Sequence, residues 1–393
     1  MSKRLSRFAA ILVAALSVFL ASAAALEKAP LTEYRARRAS LAREIAGRAL
    51  YLEASPESEL VKYYPEPNFY YLTGFEEPSA ALLIDATQTP PVEYLFLPAR
   101  NLSEERWTGV KLGPGPESAR ATGFESVLPL DQARAKLVEL GEGNVLTSKN
   151  RDVMRRIAAM RQVKSASEIA LIEKAVDITM KGLRSAALAI APGAREYEVE
   201  AALEFEFRKN GAERPGFPSI VGSGPYSTIL HYNKSERRME SGDLVVVDVG
   251  AEYSGYTADV TRTFPVSGKF TPRQREIYQI VLDAQKAAIA AIRPGARIRD
   301  VHAAAVSVIR AKGYNQYFIH GTSHHMGLEV HDVGDTNRAL EVGMVITAEP
   351  GIYIPEESLG VRIEDDLVVT PDGARLLSTL PREIDDIEKL MKR

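Results

Sequence analysis

The sequence predicts an α/β (α+β) protein of two domains, in which the second domain consists of two similar halves. At 393 residues the chain is longer than one compact core usually accommodates. Apolar runs typical of buried strands alternate with amphipathic helical patterns along most of its length. The motif Pro-Gly-Ala-Arg occurs at 192–195 and again at 294–297, each time between two helical patterns. This repeat predicts a pseudo-symmetric domain with helices packed on one side of its sheet.

Residues 1–26 have the pattern of a cleaved secretory signal peptide. Lys3, Arg4 and Arg7 precede an apolar run at 8–20, and small residues follow at 21–25. The apolar run is short for a membrane span, which argues against the alternative of an uncleaved anchor. We therefore expect an exported protein, periplasmic or secreted, with no stable membrane span after cleavage.

Composition and charge exclude several classes of function. The formal net charge of -3 offers no basic excess for binding nucleic acid. The chain has no cysteine, which excludes disulfides, thiol nucleophiles and thiolate metal ligands. Any bound metal must therefore be held by oxygen atoms and imidazoles, a ligand set that favours some cations over others.

Residues 27–163 are predicted to form an N-terminal α/β domain, with buried strands at 80–84 and 94–97. The second domain is predicted to cover 164–393. Its start is marked by Ser165 and Glu168, which have the spacing of a helix capping box. Further helices are expected at 196–209 and from Thr271-Pro272 onward, where an N-cap precedes a proline at the first helical position.

Single acidic residues interrupt apolar strand sequence in the second domain. Asp248 lies inside 244–250, and Asp259 follows in the returning strand. A two-residue loop at Tyr253-Ser254 would place the two carboxylates directly opposite each other. Two ionised carboxylates at that distance repel, so either one is protonated or cations lie between them.

Three of the six histidines, His320, His324 and His331, lie within twelve residues among glycines. Glu349 ends one apolar strand pattern, 345–351, and Glu364 lies inside another, 360–369. Four buried acids would otherwise need four separate ion pairs. A site with two metal ions, four carboxylates and one imidazole explains them together, and this ligand chemistry suits Mn²⁺, Co²⁺ or Fe²⁺, with Zn²⁺ possible.

These residues, in this order, resemble the pita-bread metallopeptidases, which include aminopeptidase P, Xaa-Pro dipeptidase and methionine aminopeptidase. The resemblance covers about 165–385, with His-Gly-x-x-His, Glu-Pro-Gly and Arg-x-Glu-Asp contexts. Segment 64–75 resembles the creatinase-like N-terminal domain of aminopeptidase P, which favours the proline-specific branch. The resemblance implies the following metal ligands: Asp248 for one ion, His324 and Glu349 for the other, and Asp259 and Glu364 bridging both.

The resemblance further implies an Xaa-Pro aminopeptidase, which cleaves between an N-terminal residue and a following proline. Glu349 would move a proton, His331 or His231 would stabilise the oxyanion, and Arg362 would support the carboxylates. The substrate would be bound by His231, His320, His331 and Arg362.

An Xaa-Pro dipeptidase shares the ligand set and remains an alternative, as does a non-catalytic binding protein of the same fold. Relatives are often dimers or tetramers, so a homo-oligomer is expected. His302, in an alanine-rich helical pattern, is interpreted as structural, and His325 is not expected to be a ligand because it should point away from its neighbour His324.

Overall fold

The computed structural model describes residues 27–58 and 60–392, so the predicted signal peptide lies outside the described residues. Within those ranges no helix combines the length and the apolar character needed to cross a bilayer. The helices, in chain order, are α1 Leu31–Glu44, α2 Pro67–Thr73, α3 Glu105–Thr108, α4 Pro116–Thr122, α5 Ala133–Leu140, α6 Arg151–Gln162, α7 Ala166–Ala189, α8 Glu196–Lys209, α9 Pro272–Ala291, α10 Ile298–Ala311 and α11 Ile384–Leu390.

The N-terminal part is a five-stranded mixed sheet with helices around it. Its strands are β1 Ala49–Glu53, β2 Ala81–Asp85, β3 Val92–Leu97, β4 Ser126–Pro129 and β5 Val145–Leu146. The order is β4-β3-β2-β1-β5, with antiparallel pairing in the centre and a parallel strand at each edge. The aromatic residues Phe69, Tyr70 and Tyr71 on α2 are buried, and the Tyr70 hydroxyl donates to the Ser254 carbonyl of the second domain at 3.2 Å.

The second part carries eleven strands in small sheets beneath four long helices. The strands are β6 Arg214–Pro215, β7 Ile220–Ser223, β8 Leu244–Val249, β9 Ala251–Tyr253, β10 Tyr256–Thr257, β11 Val260–Pro265, β12 Val345–Ala348, β13 Gly351–Ile354, β14 Leu359–Arg362, β15 Asp365–Thr370 and β16 Gly373–Leu376. Helices α7 and α9 begin at the capping residues expected from the sequence. Ser165 and Thr271 each accept from the backbone N–H three residues on, and the side chain at that position returns a bond.

The predicted pseudo-symmetry is confirmed in detail. Helices α8 and α10 each have 14 residues and each follow a long helix and a Pro-Gly-Ala-Arg turn. Gly193 and Gly295 hold nearly the same backbone angle, with φ of 89° and 87°. The first turn makes two backbone hydrogen bonds to Met239, of 2.9 and 2.8 Å, and the second makes the same two bonds to Leu340, of 2.9 and 2.7 Å. Each half then continues into an antiparallel strand pair, β8 with β11 and β12 with β15.

The structure corrects the predicted hairpin after β8. Tyr253 pairs with Tyr256, so the two-residue loop is Ser254-Gly255 and not Tyr253-Ser254. Both loop residues have positive φ, 51° and 76°, which is the geometry of a type I′ turn and suits glycine at the second position. In this register Asp248 pairs with Thr261, not with Asp259. The aspartates are therefore diagonal neighbours and not directly opposite.

The segment 360–369, expected to be a single strand, forms two strands, β14 and β15. Strand β14 pairs with β13, and β15 pairs with β12. Glu364 lies in the break between them, where its backbone N–H donates to the Thr261 carbonyl at 3.1 Å. The break brings the second half of the domain against β11 of the first and places the Glu364 side chain between the two.

Candidate metal centre

The five expected ligands converge in one cavity of about 570 Å³ between the two halves of the second domain. Asp248 lies on β8, Asp259 directly precedes β11, Glu349 directly follows β12, and Glu364 directly precedes β15. Asp259 and Glu364 occupy the same position in the two halves, directly before β11 and β15. The expected accessory residues line the same cavity: His231, His320, His331 and Arg362.

His324 lies among three of the four carboxylates. Its Nε2 atom is 3.4 Å from Asp259 Oδ2, 3.6 Å from Glu349 Oε1 and 4.0 Å from Glu364 Oε1. Asp259, His324 and Glu364 each offer a ligand atom within 4.8 Å of the others. Ligands of one cation, each about 2.0–2.2 Å from it, have similar separations. The side chains are therefore spaced as ligands.

Three carboxylate oxygens in the cluster are buried without a partner. Among the described residues, nothing donates a hydrogen bond to Asp248 Oδ1, Asp259 Oδ1 or Glu364 Oε1. Buried polar atoms in native proteins are nearly always satisfied, because an unmet acceptor costs stability. Three such atoms pointing into one cavity fit divalent cations. The oxygen-rich donor set, with a single imidazole, is chemically suitable for them.

The electrostatics of the cluster agree with that fit. Burial raises the pKa of Asp259 well above its ordinary value, and the charges of Asp248 and Asp366 raise it further. Burial and the neighbouring Asp259 likewise raise the pKa of Glu364. Burial raises the pKa of Glu349 to about 7, against the opposing charges of His324 and Arg362. Four ionised carboxylates are thus unstable here without added positive charge.

Arg362 supplies part of that charge and holds Asp248 in place. Its Nη2 atom donates to Asp248 Oδ2 at 2.6 Å and to the Leu230 carbonyl at 3.3 Å. Its Nη1 atom donates to the Tyr353 hydroxyl at 2.9 Å. A fully buried guanidinium with these partners fixes the position of one ligand and leaves the other Asp248 oxygen free.

His320 is linked to the same network through Tyr353. Its Nε2 atom lies 2.8 Å from the Tyr353 hydroxyl, and its Nδ1 atom lies 2.7 Å from the Gly321 carbonyl. Since a carbonyl only accepts, Nδ1 carries the hydrogen and Nε2 accepts from the phenol. Burial and the charge of Arg362 lower the pKa of His320 to about 4, so this ring is neutral.

His231 and His331 lie at the more open side of the cavity, and both side chains are exposed. The His331 ring is edge-on to the His324 ring, with centroids 4.3 Å apart. Burial and the nearby His324 and His231 lower the pKa of His331. Both imidazoles are therefore accessible to a molecule that enters the cavity.

The other two histidines point elsewhere. His302 Nδ1 lies 2.9 Å from the Thr322 hydroxyl on the inner side of α10. His325 is buried against Gln162, with 3.0 Å between the two Nε2 atoms. Neither side chain lines the cavity.

Comparison with known proteins identifies the family. Residues 170–371 match the model of metallopeptidase family M24, and residues 34–146 match that of the aminopeptidase P N-terminal domain. The chain belongs to metallopeptidase family M24. It is 38% identical to an Xaa-Pro aminopeptidase of Haemophilus influenzae, over 82% of this chain and 87% of that protein. It is 36% identical to an Xaa-Pro dipeptidase of Pyrococcus horikoshii, over 81% and 92%.

Solved structures confirm the predicted fold of this M24 chain. Zinc-substituted Escherichia coli aminopeptidase P in complex with product superposes with a TM-score of 0.87 at 32% identity. The match covers 93% of this chain and 99% of that one. A Yersinia pestis proline aminopeptidase P II gives a TM-score of 0.85 at 34% identity, over 92% and 99%. The pita-bread domain and the aminopeptidase P type N-terminal domain are thus both present.

Two residues of the M24 centre escaped the sequence analysis. Tyr353 joins His320 to Arg362, as described above. Asp366 accepts from the Asp259 backbone N–H at 2.9 Å, and its Oδ1 atom is buried without a partner among the described residues. The signals were a phenol inside the apolar strand β13 and three consecutive acids, 364–366, in strand sequence. A buried hydroxyl or carboxyl group needs a hydrogen-bond or charged partner, and which residue that is becomes clear only in the folded chain.

Proposed function

We propose that this protein is an Xaa-Pro aminopeptidase that uses two divalent metal ions to cleave the bond between an N-terminal residue and a following proline. The observation that carries the proposal is the convergence of Asp248, Asp259, His324, Glu349 and Glu364 in one cavity, with three buried carboxylate oxygens lacking partners. Membership of family M24 and the 34–38% identity to Xaa-Pro aminopeptidases support the substrate class.

Each ligand has a proposed place around the two ions. Asp248 would bind one ion and His324 and Glu349 the other, with Asp259 and Glu364 shared between them. When bound, the ions supply Lewis-acid activation of the scissile carbonyl and of the attacking water. We propose Mn²⁺ as the native metal, with Co²⁺, Fe²⁺ and Zn²⁺ as alternatives, because oxygen ligands outnumber nitrogen four to one.

The proton in this reaction is assigned to Glu349. The leaving nitrogen belongs to proline, and as a departing imino group it must gain a proton. Glu349 lies within 4 Å of His324 and His320. A carboxylate beside the reacting bond can accept a proton from the attacking water and return it to the nitrogen.

The remaining accessory residues bind and orient the substrate. His231 and His331 would donate hydrogen bonds to the carbonyl oxygen as negative charge develops on it. Neutral His320 accepts from Tyr353, so its ring is fixed at the cavity wall. Arg362 keeps Asp248 oriented through a charge-assisted hydrogen bond.

The test is an assay of purified mature protein on an X-Pro dipeptide and on a longer X-Pro-peptide, with and without Mn²⁺ and a chelator. We expect metal-dependent cleavage that favours the longer substrate. A marked preference for the dipeptide would instead identify an Xaa-Pro dipeptidase, which the Pyrococcus horikoshii relative makes the second candidate. A protein that binds no metal and cleaves neither substrate would be a non-catalytic member of the fold.

Export and self-association belong to the same proposal. The basic and apolar pattern of residues 1–26 supports cleavage of a signal peptide and a periplasmic or secreted location. N-terminal sequencing of protein isolated from the producing cell tests this, because an intact Lys3 would contradict it.

A dimer or tetramer is proposed by analogy with related peptidases, and light scattering after size-exclusion chromatography measures it.

A further inference from the structure

One fully buried carboxylate lies outside the metal cavity and makes four hydrogen bonds. Glu196, the first residue of α8, is 0% exposed. Its Oε1 accepts from the Ser223 backbone N–H at 2.7 Å and from the Ser223 hydroxyl at 2.6 Å. Its Oε2 accepts from the Tyr232 hydroxyl and from the Arg237 backbone N–H, both at 2.9 Å. Both oxygens are thus satisfied, as a buried carboxylate requires.

These partners surround the segment that carries His231, residues 224–236, which we call the His231 loop. Ser223 directly precedes the loop, Arg237 directly follows it, and Tyr232 lies within it. One carboxylate therefore joins the two ends of the loop and one internal side chain. His231 and Asn233, the two neighbours of Tyr232, both line the metal cavity. A shift of the Tyr232 hydroxyl would move the backbone on which the His231 ring stands.

The internal repeat indicates that the fold alone does not require a carboxylate at this position. The equivalent helix of the second half, α10, begins with Ile298 after the same Pro-Gly-Ala-Arg turn. The backbone bonds to Met239 and Leu340 are the same in both halves. Burying a carboxylate costs several kcal/mol before its hydrogen bonds offset the cost. Glu196 therefore adds an anchor to the His231 loop that the shared framework does not itself provide.

We propose that Glu196 is a positioning residue, which acts through Tyr232 to hold His231 against the substrate. This inference rests on the proposed function, in which His231 stabilises the developing oxyanion. Loss of the anchor lowers kcat more than it changes KM, because a small displacement of a transition-state donor impairs the reaction more than it impairs binding.

The test compares four variants of the metal-loaded, full-length mature protein: E196Q, Y232F, H231A and the double variant E196Q/H231A. E196Q keeps the volume of the side chain, and Y232F removes only the hydroxyl. We expect E196Q to lower kcat by about 10- to 30-fold with KM within about threefold, and Y232F to have a smaller effect in the same direction. In the H231A background, adding E196Q should change kcat by less than about twofold, because the two residues act as one unit.

The matched control is E198Q. Glu198 is exposed, lies in the same first turn of α8, and accepts only from the Arg195 backbone N–H at 2.6 Å. E198Q weakens the start of the helix without touching the His231 loop, so kcat should stay within about twofold of wild type. A loss of activity in E198Q equal to that in E196Q would assign the effect to the helix and overturn the proposal.

Hydrogen exchange measured by mass spectrometry gives a readout that is independent of catalysis. Backbone amides of residues 224–236 should exchange faster in E196Q than in wild type and E198Q, with metal content unchanged. Unchanged exchange, or equal losses of kcat from E196Q in the wild-type and H231A backgrounds, would overturn the role of Glu196. A metal-loaded wild type that cleaves no X-Pro peptide would overturn the proposed function itself, and with it this role in the reaction.

Discussion

The two halves of the second domain share a framework but differ in the charges that surround their acids. Asp259 and Glu364 occupy corresponding positions, directly before β11 and β15, whereas Asp248 lies inside β8 and Glu349 directly follows β12. Asp248 is paired with Arg362, which comes from the other half. Among the described residues, no lysine or arginine lies within 4 Å of Glu349. A duplicated fold thus supplies four carboxylates in two environments.

The two halves differ more in the segments that precede β8 and β12 than in the helices and strands themselves. In the first half the His231 loop leads to β8, and in the second half residues 327–343 lead to β12 and carry His331. Each contributes one exposed imidazole to the cavity. Each segment also carries an anchor: the buried carboxylate of Glu196 binds the ends of the His231 loop, and the buried carboxylate of Asp332, next to His331, pairs with Arg161 and Lys164. The strands shared by the two halves thus position the carboxylates, while the non-repeated segments position the two exposed imidazoles.

The largest expected effect tests whether the two halves contribute equally to metal binding. Asp259→Asn and Glu364→Gln should each lower kcat/KM at least about 1000-fold, because each residue is a proposed ligand of both ions and metal activation contributes several kcal/mol. Metal content, measured by inductively coupled plasma mass spectrometry, should fall in both variants. A variant that retained two metals and full turnover would show that its half is dispensable for the centre.

The second prediction contrasts Asp248 with Glu349 in the chelated protein. The folded protein raises the pKa of Glu349 to about 7, above its ordinary value of 4.5. Because folding favours the protonated form of Glu349, this group contributes most to the free energy of unfolding below pH 4.5. The contribution is lost as the pH rises through 7. At pH 8 Glu349→Gln should therefore stabilise the chelated protein by about 3 kcal/mol, measured by urea unfolding.

Asp248→Asn should change the stability of the chelated protein in the opposite direction to Glu349→Gln. At pH 5 Glu349, whose pKa burial raises to about 7, is protonated, and burial also raises the pKa of Asp259 and Glu364, so repulsion among the acids is reduced. Loss of the Asp248 charge then leaves Arg362 buried without its partner and should cost about 3 kcal/mol. Glu349→Gln should change stability little at pH 5. If both variants shifted unfolding in the same direction at both pH values, the two positions would be electrostatically equivalent.

The third prediction compares the imidazoles of the two halves. His231→Ala and His331→Ala should each lower kcat about 100-fold, the size of effect seen when a single oxyanion donor is removed. Lys234→Ala is the control, since Lys234 is exposed on the same loop as His231 and does not line the cavity. Steady-state kinetics on an X-Pro-peptide measures all three. A large loss in one histidine variant alone would place the oxyanion contact in one half.

The sequence predicted those parts of the fold that depend on local chemistry. The capping residues Ser165 and Thr271 and the repeated Pro-Gly-Ala-Arg turns act over a few residues, and the structure has them where they were expected. The acids of the cavity were recognised because a lone carboxylate in apolar strand sequence needs a partner. The sequence therefore indicated those site residues whose chemical type is unusual for the segment in which they occur.

The errors and omissions concern contacts between distant segments. An apolar run such as 360–369 does not reveal that β14 pairs with β13 and β15 with β12. The hairpin register depended on whether the turn began at Tyr253 or Ser254, a choice made by positive φ at Ser254 and Gly255. Tyr353 and Glu196 were missed because their partners lie 9 to 41 residues away. Side-chain partners at such separations are fixed by tertiary packing, which periodicity does not report.

The smallest expected effect tests the shared framework itself. Gly193 and Gly295 have φ of 89° and 87°, a conformation that costs an L-residue about 1 kcal/mol, and an added Cβ would meet nothing closer than 3.9 Å at either position. Gly193→Ala and Gly295→Ala should therefore each destabilise the metal-loaded protein by about 1 kcal/mol in urea unfolding. Gly242→Ala is the control, since that glycine lacks positive φ and has open space around its Cα. Unequal costs at the two turns would mean that the halves differ in their backbone as well as in their side chains.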